Sequence, residues 1–365
     1  WYTRQGYVSA RVLLEKQNLS SGTLVLHAVE GRISKILFNG KAEPITELAA
    51  FPFLRGRVLN IRDIEQGLAQ MNQVPKSHAR MQILPDPERF GYSMINILRP
   101  EGPNTQVMFR YDNEAHSYTY PKQFVLNTGN LLSANDTWSL YYSQYHQGQS
   151  QFNQSSSVTW EQPFGYLRGK LSYSQYDYLN MIQGSIRNFS SSGQTQTLSG
   201  TVEALGIRHP ILNHTMYGRL DIKDVASYIE DVKSKVGSRK LRIASIGIKE
   251  QINHPLGYLS GTLEYQKGLR RFSATTDKKG ASYSTPKAQF TKWKGTLYSV
   301  ASVQLYNAQL RLSSNIVGQF SPDSLYSSEM MNIGDINTVR GFDNYPLQSQ
   351  AGIYCRNDLS VPMRL

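Results

Sequence analysis

From residue 104 onward, apolar and polar residues alternate with a period of two over many successive segments. In residues 259–266, for example, Leu, Gly, Leu and Tyr alternate with Ser, Thr, Glu and Gln. Because successive side chains of a β-strand point to opposite faces, each segment predicts a strand with one apolar and one polar face. We count about twelve such strands, many of them close to the ~9–11 residues that cross a bilayer at a tilt. The pattern is equally clear in residues 107–111, 138–143, 167–174, 216–223 and 308–316.

Two β architectures fit this alternation. In a soluble sandwich the apolar face packs against a second sheet, whereas in a transmembrane barrel it meets lipid and the polar face lines the lumen. The connecting segments favour the barrel, because outer-membrane barrels have short turns on one side and long loops on the other. Short connections at residues 162–165, 209–213 and 253–255 alternate with long polar ones at residues 183–196 and 272–286.

The composition excludes several other classes of protein. Hydrophobic residues make up 39% of the 365 residues, and no run approaches the ~20 consecutive apolar residues of a membrane helix. Lys and Arg number 39 against 27 Asp and Glu, a net charge of +12, but no dense basic run or recognised nucleic-acid module accompanies the excess. We therefore expect no nucleic-acid partner.

The residues that carry enzyme or metal chemistry are sparse. A single cysteine, Cys355, excludes an intrachain disulfide, and no H-x-x-H or C-x-x-C spacing indicates a metal site. There is no G-x-S-x-G elbow, convincing triad or phosphate loop. The sequence thus predicts no metal, no cofactor and no enzymatic activity, although a few outer-membrane barrels are lipases or proteases.

The first hundred residues follow a different pattern. Strands are predicted at residues 10–14, 22–29 and 33–38, and again at residues 80–84 and 92–98. Between the third and fourth strands lie two predicted helices, residues 44–50 and 61–71. The second helix begins after a suitable N-cap, Asn60, and its apolar residues recur at helical spacing, so they are expected to form core. Residues 99–103 read as a linker.

This front module resembles a POTRA domain of the two-partner secretion transporters, the TpsB family. The matching stretches are residues 33–40, 59–68 and 71–75, and residues 6–32 resemble the second half of a preceding POTRA domain. Later stretches are similar to the barrel of the same family. The first comprises residues 163–166 and 172–174, and the second is the motif Val339-Arg340-Gly341-Phe342. The third begins with residues 354–360 and ends at Pro362.

The resemblance implies an α+β POTRA module followed by an all-β antiparallel transmembrane barrel, with about twelve of about sixteen strands present. The C-terminal part of a first POTRA domain would occupy residues 1–32, a second POTRA domain residues 33–100, and the barrel residues 101–365. The last four strands, an N-terminal plug helix and the start of the first POTRA domain are then expected to be absent. A sixth outer loop, at about residues 318–350, would fold into the lumen.

By the same resemblance, the protein would lie in the outer membrane of a Gram-negative bacterium with its POTRA module in the periplasm. It would recognise an unfolded secreted exoprotein, TpsA, through the POTRA domains and export it through the pore, without a cofactor. The expected partners are that exoprotein and outer-membrane lipid, around a monomeric barrel. Whether the cargo is a haemolysin, an adhesin or a contact-dependent toxin stays open.

Three sets of residues are candidates for this function. In the family the motif arginine, here Arg340, pairs with an aspartate on the inner barrel wall, and Asp335 and Asp343 are alternative partners within the loop. Gly341 would allow a tight loop tip, with Val339 and Phe342 beside it. An extended chain can add to a sheet edge, and the candidate edge contains Arg80, Gln82 and Leu84. The charges expected to line the lumen are Arg168, Lys170, Arg219, Lys223 and Arg311.

Each candidate also has a simpler interpretation. The motif arginine can be an exposed residue of an ordinary turn, and a polar lumen needs polar residues whatever passes through it. Two alternative functions remain from the same patterns: a barrel-assembly factor of the same superfamily, and a passive porin. An assembly factor usually carries more POTRA domains, and a porin lacks them.

Overall fold

A computed structural model describes eleven ranges of the chain: residues 1–20, 22–74, 76–100, 104–111, 122–147, 151–209, 211–280, 282–306, 308–334, 338–339 and 347–361. Within these ranges the chain forms two α-helices and twenty β-strands. No helix among the described residues is both long enough and apolar enough to cross a membrane. The chain divides into two compact units. The first comprises Trp1–Met108, Val125–Leu140 and Trp160–Gly169, and the second Phe109–Phe124, Tyr141–Thr159 and Lys170–Leu365.

The first unit begins with a short 3-10 turn, Tyr2–Gln5, and an antiparallel pair of strands, β1 (Arg11–Leu13) and β2 (His27–Val29). An α+β fold follows, in which a three-stranded sheet has the order β3-β5-β4. Strands β3 and β5 are parallel, whereas β4 and β5 are antiparallel, so β4 lies at one edge. The elements of this fold are β3 (Arg32–Phe38), α1 (Pro44–Ala50), α2 (Ile61–Met71), β4 (Arg80–Pro85) and β5 (Tyr92–Leu98).

Both helices begin and end where the sequence predicts. The side chain of Asn60 caps α2 by accepting a hydrogen bond from the Arg62 N–H at 3.0 Å. The apolar stripe of α2 packs through Ile64 and Met71 on the sheet, where Ile36 and Ile95 are fully buried. Burying one such side chain contributes about 1.5–3 kcal/mol, so this cluster is the main source of stability of the module.

Most of the described strands after residue 104 form one large sheet. Its main path has the order β6-β7-β8-β9-β10-β11-β12-β14-β15-β16-β17-β20, and the short β13 pairs only with β12. The path contains twelve strands, in agreement with the count of about twelve strands that alternation predicts. Among the described strands, β6 and β20 are the two ends of the sheet and do not pair with each other, so the barrel is not closed.

The strands of this sheet are β6 (Thr105–Tyr111), β7 (Lys122–Gly129), β8 (Thr137–Gln147), β9 (Gln151–Phe164), β10 (Leu167–Ile182), β11 (Phe189–Arg208), β12 (Leu212–Ile229), β13 (Val232–Lys233), β14 (Arg239–His254), β15 (Gly257–Gly268), β16 (Thr291–Leu305), β17 (Ala308–Phe320) and β20 (Gly352–Ser360). A separate hairpin, β18 (Met331–Ile333) with β19 (Leu347–Ser349), lies between β17 and β20 in the chain.

One predicted loop is shorter than expected. Residues 189–196, expected to be part of a loop, form the start of β11 and pair with β12 from Ser191↔Ile229 to Gln196↔Asp224. They carry almost no apolar side chains, so period two could not reveal them, and main-chain hydrogen bonds extend the hairpin beyond the apolar segment. Residues 269–290 connect β15 to β16, and their described residues contain no strand, in agreement with the second predicted loop, 272–286.

Candidate functional site

The burial of the large sheet is the inverse of that of a soluble sheet. On β15, Leu263 is 48% exposed, whereas its neighbour Glu264 on the opposite face is only 5% exposed. The same contrast holds between the outward-facing Ile246, which is 58% exposed, and Ser245. An apolar face left open and a polar face enclosed is the pattern of a membrane barrel and not of a sandwich.

The polar face of strands β10 to β17 surrounds a cavity of about 560 Å³. Because the register pairs Tyr217 with Gly247, Arg219 with Ser245 and Asp221 with Ile243, alternate residues of neighbouring strands point into it together. Lysine, arginine, aspartate and glutamate side chains form much of the lining, among them Lys170, Glu203, Arg219, Asp221, Lys223, Lys249, Lys292, Lys294 and Glu329.

The charges near Arg219 are paired. The Arg219 guanidinium donates from Nε to Asp221 Oδ2 at 3.0 Å and from Nη2 to Glu264 Oε1 at 2.9 Å. The Tyr217 hydroxyl donates to Glu264 Oε2 at 2.7 Å, and the Tyr217 ring lies over the Cα of Gly247, where an added Cβ would come within 2.5 Å of the ring. Such pairing offsets the cost of removing these groups from bulk water.

A second cluster joins the strand wall to the segment after β17. Glu329 ends the short 3-10 turn Ser327–Glu329 and is buried. Its carboxylate accepts hydrogen bonds from Lys223 Nζ at 2.7 Å and from Lys292 Nζ at 2.8 Å. Burial by itself would raise the pKa of the Glu329 carboxyl, but the two lysine charges and their hydrogen bonds outweigh that effect and lower the pKa.

The five predicted lumen charges are only partly brought together. All five lie on the polar strand face, but only Lys170, Arg219 and Lys223 line the cavity. Arg168 donates a hydrogen bond from Nη2 to Gln73 Oε1, and its Nη1 lies 3.9 Å from Glu161 Oε2. Arg311 is exposed and lies on the same face of β17 as the cavity residue Gln319, eight residues away.

The loop motif falls mostly outside the part of the chain that the structure describes. Of its four residues only Val339 is described, and Arg340, Gly341 and Phe342 lie outside the described ranges. The two predicted loop partners, Asp335 and Asp343, also lie outside them. The connection that carries the motif runs from residue 321 to residue 351, between β17 and β20. The role of Arg340 therefore stays a prediction.

The candidate binding edge of the front module is placed on β4. Arg80, Gln82 and Leu84 are exposed there, whereas the alternating Met81 and Ile83 pack against the buried core. One side of β4 pairs with β5 and no strand among the described residues pairs with its other side. This is the geometry that strand addition requires.

A polar stripe of α2 that contacts the turn between β9 and β10 was missed by the sequence analysis. Asp63, Gln66, Gln70 and Gln73 form a polar stripe at helical spacing, beside the apolar stripe that reaches the core. Gln70 donates to the carbonyl of Gly165, and Asp63 accepts from the Tyr166 hydroxyl at 2.8 Å. Gln66 and Gln70 are buried, which is unusual for glutamine. The helical spacing of the stripe is visible in the sequence, but its burial is visible only in the structure.

The turn that this stripe holds belongs to the stretch 163–166. Gly165 has φ +58° and donates its N–H to the Ala49 carbonyl at 2.9 Å, and an added Cβ would lie 2.6 Å from Pro52 Cγ. Phe164 and Phe53 make an edge contact with ring centroids 6.2 Å apart. The β9–β10 turn and the helices α1 and α2 are thus one packed structure within the first unit.

Comparison with known proteins agrees with this architecture. Residues 91–365 match the family described as haemolysin secretion/activation protein ShlB/FhaC/HecB. Residues 32–85 match a POTRA domain, and residues 1–31 match a POTRA domain of the ShlB type.

Individual relatives are transporters by name. The chain is 32% identical to the outer membrane transporter CdiB of Dickeya dadantii (strain 3937), over 99% of this chain and 64% of that protein. It is 26% identical to the hemolysin transporter protein HpmB of Proteus mirabilis, over 100% of this chain and 65% of that protein. The solved structure of CdiB from Escherichia coli superimposes with a TM-score of 0.89 at 27% identity, covering 98% of this chain and 67% of that one.

The chain therefore spans less than two thirds of the length of the curated relatives described above. The resemblance to TpsB transporters that the sequence indicated is confirmed by the family match and by the structural match to CdiB. The chain belongs to the ShlB/FhaC/HecB family of haemolysin secretion/activation proteins, which are outer-membrane transporters with periplasmic POTRA domains and not enzymes.

Proposed function

We propose that the full-length protein exports an unfolded, secreted exoprotein of the TpsA type through its barrel and recognises that exoprotein through its POTRA domains. The observation that carries the proposal is the inverted burial of the large sheet, which encloses a polar, charged cavity and leaves its apolar face open. The relatives named as CdiB and as a hemolysin transporter support the same class of activity.

The cavity lining suits passage of a polypeptide. Arg219, Lys223 and Lys249 each have a carboxylate partner within 3 Å, at Glu264, Glu329 and Glu203 respectively. Paired charges keep a wall hydrated without leaving a large single-sign field that would hold a passing charged segment. Main-chain groups of an extended chain can exchange hydrogen bonds with water along such a surface.

Recognition would take place at the front module. An exoprotein segment that arrives unfolded offers main-chain donors and acceptors, and β4 presents an open strand edge to receive them. The exposed side chains of Arg80, Gln82 and Leu84 would contact alternate residues of the added strand. The domain limits that accompany this proposal are residues 1–32, 33–100 and 101–365.

The sixth outer loop, about residues 318–350, would fold inward and help to close the passage. In that proposal Arg340 pairs with a carboxylate inside the barrel and holds the loop in one position. An Arg–carboxylate pair of two parallel hydrogen bonds gives both energy and a defined geometry, which a loop across a pore requires.

The test is secretion by the full-length protein expressed together with a candidate exoprotein of the TpsA type. We expect the exoprotein in the medium, and we expect deletion of residues 33–98 to abolish export while the barrel still inserts into the outer membrane. Insertion is checked by the heat-dependent migration of a folded barrel on a gel. Normal export after the deletion would contradict the POTRA role, and no export by the intact protein would contradict the proposal as a whole.

A further inference from the structure

Residues 321–330, which follow β17, lie against the cavity side of the strand wall, and we name them the strap. The strap precedes the Val-Arg-Gly-Phe motif by several residues, so its contacts are separate from those expected of Arg340. Its two ends are held in different ways. The first half is fixed by main-chain and ion-pair contacts to the β15–β16 loop, and the second half by Glu329.

Glu329 joins three strands at once. Lys223 comes from β12, and Lys292 from β16, which two strands of the sheet separate from β12. The main-chain carbonyl of Glu329 also accepts hydrogen bonds, from Lys292 Nζ at 3.2 Å and from Gln319 Nε2 of β17 at 2.9 Å. A single residue of the strap therefore holds side chains from well-separated positions around the cavity.

The three charged side chains of this cluster are largely removed from water, so the loss of any one of them is costly in free energy. The side chains of Lys292 and Glu329 are only 4% and 7% exposed, and that of Lys223 is 19% exposed. Removing one member of a buried ion pair leaves the remaining charge without compensation, which is far more costly than breaking an exposed pair. Neutralising Glu329 would leave two ammonium groups facing each other in a buried site.

The first half of the strap is packed independently of these lysines. Asp323 accepts from Lys287 Nζ and from the Thr291 N–H, both at 2.7 Å. Leu325 is fully buried in a cluster with Leu241, Ile243, Ala288 and Phe290. Burial would raise the pKa of Asp323, but the hydrogen bonds and the Lys287 charge lower it. The first half of the strap is thus held by an ion pair together with apolar packing, and the second half by the buried charge cluster at Glu329.

We propose that Glu329 is a positioning residue for transport. Bound by Lys223 and Lys292, it holds the strap against the cavity wall and so limits the free cross-section of the passage. The inference rests on the proposed export function, because the passage has to carry a chain for its width to matter. We name Lys223 and Lys292 together the latch. The Glu329 carboxylate has to separate from both lysines before the strap can move.

The first experiment measures the position of the strap without any cargo. In the full-length protein in detergent, the exposed Cys355 is replaced by serine and the buried Met331, two residues after Glu329, by cysteine, giving C355S and M331C. A membrane-impermeant maleimide then labels the engineered thiol only when the strap leaves the wall. We expect E329Q and K292Q to raise the labelling rate at least about tenfold, because each removes a partner from a buried charge cluster.

Two variants serve as matched controls. K294Q removes the same charge from the same cavity wall, but Lys294 is not a hydrogen-bond partner of Glu329 among the described contacts, so labelling should stay at the starting rate. K292R keeps the positive charge and should preserve protection. Heat-dependent migration on a gel confirms in every variant that the barrel is folded.

The second readout is the ion conductance of the same purified proteins in planar bilayers of phosphatidylcholine. We expect E329Q and K292Q to increase the mean conductance well beyond that of K294Q, which removes one wall charge but leaves the strap in place, and we expect K292R to leave the conductance unchanged. Equal protection of the thiol in E329Q and in the starting protein would overturn the inference. An equal increase in labelling for K294Q and K292Q would overturn it as well, since the cavity charge and not the latch would then be responsible.

Export is measured separately with the intact protein. If labelling and conductance respond as expected but the starting protein secretes no exoprotein, the proposed function fails while the latch stands. If the starting protein secretes normally and Glu329 variants show neither readout, the latch fails while the proposed function stands.

Discussion

Several charged side chains on the cavity face meet opposite charges within hydrogen-bonding distance. Arg219 lies between Asp221 and Glu264, and Lys249 donates to Glu203 at 2.6 Å. A charge removed from water without such a partner would cost several kcal/mol, so pairing is what allows a polar face to be enclosed. Alternation placed Arg219, Asp221 and Glu264 on the polar faces of their strands, but it did not predict which residues pair across strands.

Arg340 gives the first testable prediction at this scale. Replacing it with alanine in the full-length protein is expected to reduce secretion of the exoprotein at least about tenfold while barrel assembly continues, since the lost charge pair holds a loop and not the strands. Secretion is measured in the medium and assembly by heat-dependent gel migration. A parallel loss of both would show that Arg340 acts in folding, and Arg311→Ala, on an exposed part of β17, is the control.

Gly165 gives a second prediction. Alanine at this position has to adopt φ +58° with its Cβ 2.6 Å from Pro52 Cγ. A left-handed conformation costs a non-glycine residue about 1–2 kcal/mol, before any clash is counted. We expect amide hydrogen exchange in α2 to become about 5–30-fold faster, the factor that this free energy represents.

The control for that variant is Gly169→Ala, whose Cβ would meet only the Gln162 carbonyl, at 3.9 Å. Unchanged exchange in both variants would show that the β9–β10 turn does not support α2. An equal increase in both would assign the effect to the strand and not to the contact with Gln70.

Among the elements, α2 shows how two stripes of one helix serve different purposes. Ile64 and Met71 reach the core, and Gln66 and Gln70 are buried against the β9–β10 turn. The apolar stripe was predictable because periodic hydrophobic residues have one common interpretation, a core. The polar stripe was not, because glutamines at helical spacing are normally solvated, and only the folded chain brings residue 165 to residue 70.

The strap provides the prediction for pH. The pKa of Glu329 is lowered in the folded protein, so its ionised form is favoured by folding. A depressed carboxyl pKa contributes stability that is present above the unfolded value of about 4.3 and is lost as the pH falls through the lower folded value. The lowered pKa of Asp323 acts in the same direction.

We therefore expect the thiol of M331C in the C355S background to be as protected at pH 5 as at pH 7. Labelling is carried out at each pH, and its rate is divided by that of the exposed Cys355 of the starting protein at the same pH, so that the pH dependence of maleimide reactivity cancels. Release of the strap between pH 7 and pH 5 would contradict the assigned direction of these pKa shifts. E329Q, which has no carboxyl to titrate, is the control.

For the whole molecule, the orientation of the two faces of the large sheet decides its environment. Outward-facing Leu263, Ile246 and Val202 are 48%, 58% and 60% exposed on strands that together present a continuous apolar surface. Soluble monomers rarely expose apolar patches larger than a few hundred Å². The face needs lipid or detergent to cover it, as membership of an outer-membrane family requires.

The full-length protein is accordingly expected to stay folded and dispersed in detergent and to aggregate when the detergent is removed. Size-exclusion chromatography with light scattering measures this directly, in detergent and after its removal. A folded monomer in plain buffer would contradict the assignment of the apolar face to lipid, and the export proposal would fail with it. Reconstitution into lipid vesicles should restore the dispersed state.

The sequence by itself determined the local structure of this protein. Period-two alternation predicted about twelve strands, in agreement with the twelve on the main path of the sheet, and the N-cap and apolar stripe of α2 predicted a helix with the bounds 61–71 that the structure has. Both predictions follow from backbone geometry. Side chains alternate between the two faces of a strand and return to the same face of a helix every three to four residues, so each type of element is visible in a short stretch of sequence. The resemblance of the motifs added the family. Alternation alone could not distinguish a transmembrane barrel from a soluble sandwich.

Only the tertiary structure decided which residues act together. Glu329 meets Lys223 across 106 positions of the chain and Lys292 across 37, and no local pattern marks either distance. The register of β12 and β16 and the path of the strap bring these charges into one buried site. Contacts of this kind depend on how strands are ordered around a sheet, and that order is a property of the folded chain as a whole.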